Sequence, residues 1–175
     1  IQDSFGCTAL MYIFYFYYDV PTLKEKIKFL VEAGADVNIQ DNLGRTVLYE
    51  VVCRGDISTV EYLLNVGIDA TIQDNDGLDA ICVAEKYNYE NILKLLRWFL
   101  TEKMYLEVMK EKLANGMNVN EQDENGETPL FEECLDGRAE SVKYLVKSGA
   151  KINIQNNFGR TALIEACVGG HLPVV

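Results

Sequence analysis

Apolar residues recur along this chain in bursts spaced by three and four, the period of a helix with one buried face. Leu48, Val51 and Val52 form one stripe and Val60, Leu63 and Leu64 the next. Ile81 and Ala84 followed by Leu93 and Leu96 repeat the pair, as does Leu130 followed by Val142, Leu145 and Val146. Between pairs the chain turns polar and glycine-rich. The fullest of these joints is Gly34-Ala-Asp-Val-Asn-Ile-Gln-Asp-Asn-Leu-Gly44, and Gly67 to Gly77, Gly116 to Gly126 and Gly149 to Gly159 copy it, each with two glycines ten apart and a glutamine six after the first. A shortened copy opens the chain as Ile1-Gln2-Asp3-Ser4-Phe5-Gly6. The first glycine of each joint follows an apolar run, where a left-handed residue ends a helix at least cost, and the polar cluster behind it predicts a tight turn. Thr46, Thr128 and Thr161 stand where the next helix needs an N-cap, with Pro129 just inside. The predicted unit is helix, helix and β-turn finger, repeated.

Gly44 and Gly77 stand 33 residues apart, as do Gly126 and Gly159, and self-similarity at that period indicates stacked repeats. The run from Gly126 to Asn153 has a Thr-Pro-Leu start, an apolar helix, Gly137, a second apolar helix and Gly149-Ala-Lys-Ile-Asn. It resembles an ankyrin repeat, and the resemblance extends over essentially the whole chain. It implies an all-α fold, an ankyrin-repeat solenoid of helix-turn-helix units with β-turn fingers. Residues 1-175 then form one ankyrin-repeat domain, with repeats at about 3-40, 41-73, 74-122, 123-155 and an incomplete 156-175.

Several positions depart from the pattern. Gly6 to Gly44 is 38 residues, with the extra length around Tyr17 to Thr22, and the first helix carries aromatics on every face. Ile13 and Phe14 take core positions there, while Tyr12, Tyr15 and Phe16 are left for a preceding repeat or a partner. Asn88 replaces the glycine found at Gly55 and Gly137, a substitution suited to the left-handed conformation. Leu100 stands where a helix-ending glycine is due, and the glycine arrives 16 residues late, at Gly116. Met104, Tyr105, Val108, Met109 and Leu113 keep helical spacing, so this insertion is helical. Either the helix runs on by about 24 Å, or a turn near Thr101 divides it, the reading that Thr101 as a cap favours. Lys112 falls on a position that is leucine elsewhere. Glu133 falls where Ala84 and Ala166 sit, a small buried position from which a carboxylate is expected to reach outward to solvent. The chain opens partway through a joint and closes midway through a repeat, with a polar outer face at neither end, as expected of a segment of a longer array.

Composition and charge narrow the function. Five cysteines, spread one per repeat without a Cys-x-x-Cys pair, read as reduced thiols in an intracellular, cytoplasmic protein. No apolar run reaches the roughly 20 residues of a membrane span. A net charge of −11 disfavours nucleic acid and anionic membrane and leaves room for a basic protein partner. The one histidine, His171, follows Gly170, where the resemblance implies a turn-stabilising role. No metal-ligand, phosphate-loop or nucleophile motif accompanies it, so no catalytic residue, metal or cofactor is expected, and the chain is not read as an enzyme.

The resemblance instead implies a scaffold or adaptor that binds a partner protein on the concave face of fingers and first helices. The alternative is a targeting module for an enzyme or ubiquitin-ligase adaptor whose active domain lies elsewhere. In the second repeat the candidate binding residues are Asn42, Leu43, Arg45, Cys53 and Arg54, and in the third Asn75, Asp76, Leu78, Lys86 and Tyr87. The fourth adds Glu124, Asn125, Glu127, Leu135 and Asp136, and the fifth Asn157, Phe158 and Arg160. Leu43, Leu78 and Phe158 are the expected apolar anchors at finger tips. Asn38, Asn120 and Asn153 stand where the resemblance implies a substrate position for asparaginyl hydroxylases.

Overall fold

The computed structural model describes residues 1–16 and 20–171, except for the side chains of residues 15–22. Tyr15 and Phe16 as candidate exposed aromatics lie outside that description. So does much of the extra length around Tyr17 to Thr22. Nine helices are described: α1 Ala9–Phe16, α2 Val20–Glu32, α3 Val47–Cys53, α4 Ile57–Asn65, α5 Ala80–Lys86, α6 Glu90–Ala114, α7 Pro129–Leu135, α8 Ala139–Lys147 and α9 Ala162–Gly169. Apart from one β-bridge between Gln155 and Thr161, the regular structure among the described residues is helical, the all-α class that the resemblance implies.

The chain forms two compact units, Ile1–Leu100 and Thr101–Val175. In the first, the helices pair as α1 with α2 and α3 with α4, and the first helices stack α1 on α3 and α3 on α5. The spacing explains the packing. Leu48, Val51 and Val52 of α3 and Val60, Leu63 and Leu64 of α4 are all buried, as are Ile13, Phe14, Ala84, Leu93 and Leu96. Each side chain of this size contributes about 1.5–3 kcal/mol on burial, which is how helices of seven to nine residues, too short to persist alone, are held. In the second unit α7 packs on α8 and on α9 around Leu130, Phe131, Leu145 and Ala166.

Fingers join the helix pairs, and each is built on one side chain. The carboxylate Oδ1 of Asp41 accepts from the N–H groups of Leu43 and Arg45, both at 2.9 Å. Asp3, Asp74, Asp123 and Asn156 repeat the arrangement. Successive fingers are then tied backbone to backbone. Asn75 N–H donates to the Leu43 carbonyl at 2.9 Å while its Nδ2 donates to the Asn42 carbonyl at 3.0 Å. Gln40 Nε2 bridges its own finger, at Gly44 O, to the next, at Gln73 O. This close approach is why Gly44 is glycine: with φ at 79°, a Cβ there would stand 2.7 Å from Asn75 Oδ1.

Two expectations about helix ends change. Thr46, Thr128 and Thr161 do occupy N-cap positions in extended conformation, but their hydroxyls make no capping bond. Their carbonyls act instead, accepting from Tyr49, Phe131 and Ile164 N–H, while Asp79 in the third repeat caps Cys82 N–H with its side chain at 2.9 Å. The break expected near Thr101 is absent. α6 runs unbroken for 25 residues, about 37 Å, because its sequence holds neither glycine nor proline, and exposed Thr101 sits mid-helix. Asn88 has φ 58°, the one non-glycine residue with left-handed backbone among those described.

Candidate functional site

Each finger presents at its tip the residue just before its second glycine. Leu43 and Phe158 occupy that place and are strongly exposed, 56% and 78%. Leu78 does not. It follows Gly77 and is half-buried, lining a small cavity with Tyr49 and Ala80, so the tip of the third finger is Asp76. The apolar tip missed in the sequence is Phe5, 70% exposed, on the first finger. Its signal was its place one residue before Gly6, matching Leu43 and Phe158.

In the first unit Phe5 and Leu43 flank a groove of about 570 Å³ floored by Cys7 and Tyr12 and edged by Asp41 and Arg45. The Tyr12 hydroxyl donates to Asp3 Oδ2, which holds the Asp3 carboxyl below its usual range. In the second unit Phe158 overhangs a groove of about 460 Å³ with Phe131 and Leu135 at its base and Glu127, Arg160 and Glu165 on its edges. Asn125, the other tip, is polar and exposed, as are Glu124, Lys86 and Tyr87. Tyr87 stacks on Tyr89 with ring centroids 5.9 Å apart, and the Lys86 ammonium stands 6.0 Å from the Tyr87 ring.

Other candidates are held by the fold. Asn42, Asn75 and Asn157 each spend backbone N–H and carboxamide on the preceding finger, a stacking role in addition to any contact with a partner. Arg45 is clamped by Asp41 at 2.8 Å and Glu50 at 3.4 Å. Arg54 donates to the Phe14 carbonyl and lies over that ring, so it secures α1 to the end of α3. Arg160 pairs with Glu165 at 3.2 Å, Glu127 accepts from Asn156 Nδ2 at 3.1 Å, and Asp136 pairs with Arg138. Asn38 and Asn120 are likewise engaged: Asn38 Oδ1 accepts from Asp69 N–H and Asn120 Oδ1 from Lys151 N–H, both at 2.7 Å. His171 bonds the Leu135 carbonyl at 2.8 Å, joining the end of α9 to the end of α7.

Glu133 overturns the expectation that it reaches solvent. It is 2% exposed, with Oε1 3.3 Å from Arg138 Nη1 and Oε2 without a hydrogen-bond partner. Its place on α7 is that of Val51, Ala84 and Ala166, all fully buried, on the face that packs into the core. Burial pushes its carboxyl above the usual range, opposed by the Arg138 guanidinium and by the nearby Ser141 hydroxyl, which itself lacks a partner of normal geometry. Arg138 is in turn stacked on Tyr105, 3.5 Å from the ring centroid. One helical turn earlier on α6, Glu102 Oε1 accepts from Glu140 N–H at 3.0 Å. That carboxylate caps α8, whose own N-cap residue, Arg138, has no acceptor to offer. The helical insertion thus supplies both the cap and the aromatic bed of the fourth repeat.

Among the described residues no cluster of His, Cys, Asp or Glu is arranged to hold a metal, and no helix is long and apolar enough to cross a membrane. Cys53, Cys82, Cys134 and Cys167 form no disulfide among the described residues, and burial raises the Cys134 thiol to about 11.

A family model described as ankyrin repeats (3 copies) matches residues 21–99 and 98–175. An ankyrin repeat protein of Acanthamoeba polyphaga mimivirus, L92, is 42% identical over 60 residues, a match covering 34% of this chain and 14% of that protein. The chain therefore matches only a small part of that relative. Ankyrin repeats generally serve as protein–protein interaction modules, and the family is typically non-enzymatic.

Proposed function

The chain belongs to the ankyrin repeat family, and from that premise we propose that it is a binding scaffold which engages a partner protein through its finger tips and the grooves beneath them. The observation that carries this reading is the exposure of Phe5, Leu43 and Phe158 at equivalent tip positions, each over a groove with an apolar base. A folded chain gains nothing from holding three large apolar side chains in water, whereas an interface draws most of its affinity from a few such anchors. The net charge of −11 favours a partner whose docking face is basic.

The test replaces Phe5, Leu43 and Phe158 with serine together and measures affinity for the partner recovered by the intact chain. The expected loss is about a hundredfold or more, with thermal stability nearly unchanged. The control pair Glu61→Ser and Lys143→Ser, exposed on α4 and α8, should bind as the parent does. Loss of binding in the control pair with retention in the triple variant would move the site to the second helices.

A further inference from the structure

One repeat of this array is incomplete. The last turns of α6 carry the signature of a second helix: Met109 and Leu113 precede Gly116 as Val60 and Leu64 precede Gly67, and as Val142 and Val146 precede Gly149. A first helix should pair with those turns, as α3 pairs with α4 and α7 with α8. Among the described residues none does, because the residues before them continue α6 itself.

Both sides of the vacancy are visible within the second unit. Four residues before the helix-ending glycine stand Leu63 and Leu145, fully buried under their first helices, and in the same place Lys112 is exposed. Across from it, three residues after the finger glycine, Val47, Ala80 and Ala162 are buried in helices stacked on a predecessor, whereas Pro129 is only half-buried. Glu132, one turn on, is exposed, whereas at the same position in stacked helices Glu50 and Glu165 are half-buried and Val83 is buried. Between these two sides runs a groove of about 530 Å³. Its apolar lining comes from half-buried Met117 and Pro129 and exposed Leu135, with Met109 buried behind them, and the groove also carries Glu121, Asp123, Glu127 and Glu132 against the single cation Lys112. Neither Glu121 nor Glu132 has a cationic partner among the described residues.

We infer that this groove receives a short, basic amphipathic helix from a partner protein, which takes the place of the missing first helix. First helices here are seven to eight residues long, so the occupant spans about two turns, roughly 11 Å. Its apolar residues, at spacings of three and four, lie on Met117, Pro129 and Leu135, where the flexible Met117 thioether adapts to differing shapes. Its lysines or arginines meet Glu121 and Glu132. The inference rests on the protein-binding reading but not on the finger tips.

The probe is a fluorescein-labelled synthetic helix of twelve residues, with leucines at i, i+3, i+4 and i+7 and lysines between, set beside a twin in which glutamates replace the lysines. Anisotropy with the full chain should show binding of the lysine peptide and not of the twin. Glu121→Lys with Glu132→Lys should weaken binding about tenfold or more, and Lys112→Glu should strengthen it, with circular dichroism unchanged in each. The Phe5, Leu43 and Phe158 triple serine variant should bind the peptide normally. No binding of the lysine peptide, equal binding of the twin, or indifference to the Glu121 and Glu132 changes overturns the inference. If the chain alone sediments as a dimer that Glu132→Lys disperses, the occupant is a second copy and the inference is equally overturned. Loss of the natural partner in the triple variant, with no binding of the lysine peptide to the parent chain, leaves the finger-tip reading standing while the groove fails.

Discussion

Replacing Glu133 with valine, the residue that the second repeat carries at this position, should stabilise the protein at neutral pH. The carboxylate is 2% exposed, one oxygen unpartnered and the other held to Arg138 at 3.3 Å, a distance long for a charge-assisted bond. An unsatisfied buried acceptor costs about 1–3 kcal/mol, more when charged. Arg138 is not orphaned by the change, since it keeps Asp136 and the face of Tyr105. Valine is close to glutamate in volume, so neither a cavity nor overpacking offsets the gain, but the buried Ser141 hydroxyl loses its nearest acceptor, which leaves a net effect of about 1 kcal/mol.

The pH dependence has a definite sign. The folded carboxyl titrates above its ordinary 4.5, so the native state holds this proton more tightly than the unfolded chain does. Parent stability therefore falls as pH rises from about 4.5 through the raised folded value and is level beyond it. The advantage of Glu133→Val should be full above the raised folded value and shrink as the sample is acidified toward 4.5. Amide exchange in α7 and α8 reads this locally, and urea unfolding reads it globally. A variant less stable than the parent at neutral pH, or an advantage that does not narrow on acidification, would refute the reasoning.

Glu102→Ala should cost about 1 kcal/mol by uncapping α8, seen as faster amide exchange at Glu140 and its neighbours, while exchange in α3 and α4 stays as it was. Thiol labelling of the native protein at mildly alkaline pH should modify exposed Cys167 first and Cys134, buried and raised to about 11, only on unfolding. Early loss of Cys134 would mean that α7 opens far more readily than its packing implies.

The helices and fingers were legible because each depends on neighbours a few residues away: stripes of three and four, a turn-forming Asp or Asn, a left-handed glycine. Phe5, Leu43 and Phe158 were equally readable once the tip is defined as the residue before the second glycine. Glu133 was misread because its fate depends on a neighbour in space. Local sequence marks the position as small and buried, but only the fold shows Arg138, brought round by the turn at Gly137 and braced on Tyr105, close enough to retain a charge there. The break expected in α6 was misread for a related reason, since Thr101 is compatible with a cap or with a helix interior.

What the period alone could not convey, two substitutions within it did. The residue two before the finger glycine is asparagine in Asn42, Asn75 and Asn157, each of which hydrogen-bonds a preceding finger through its carboxamide. In the fourth finger that residue is Glu124, whose side chain has no N–H to donate, and whose backbone N–H takes no backbone partner among the described residues. Lys112, standing where Leu63 and Leu145 are buried, reports the same absence from the helical side. A leucine needs a first helix to cover it, and an asparagine needs a finger to receive its amide. When both are exchanged for charge next to one another in the array, what has changed is the neighbour each was built to meet, and the surface left behind is open, acidic and partly apolar.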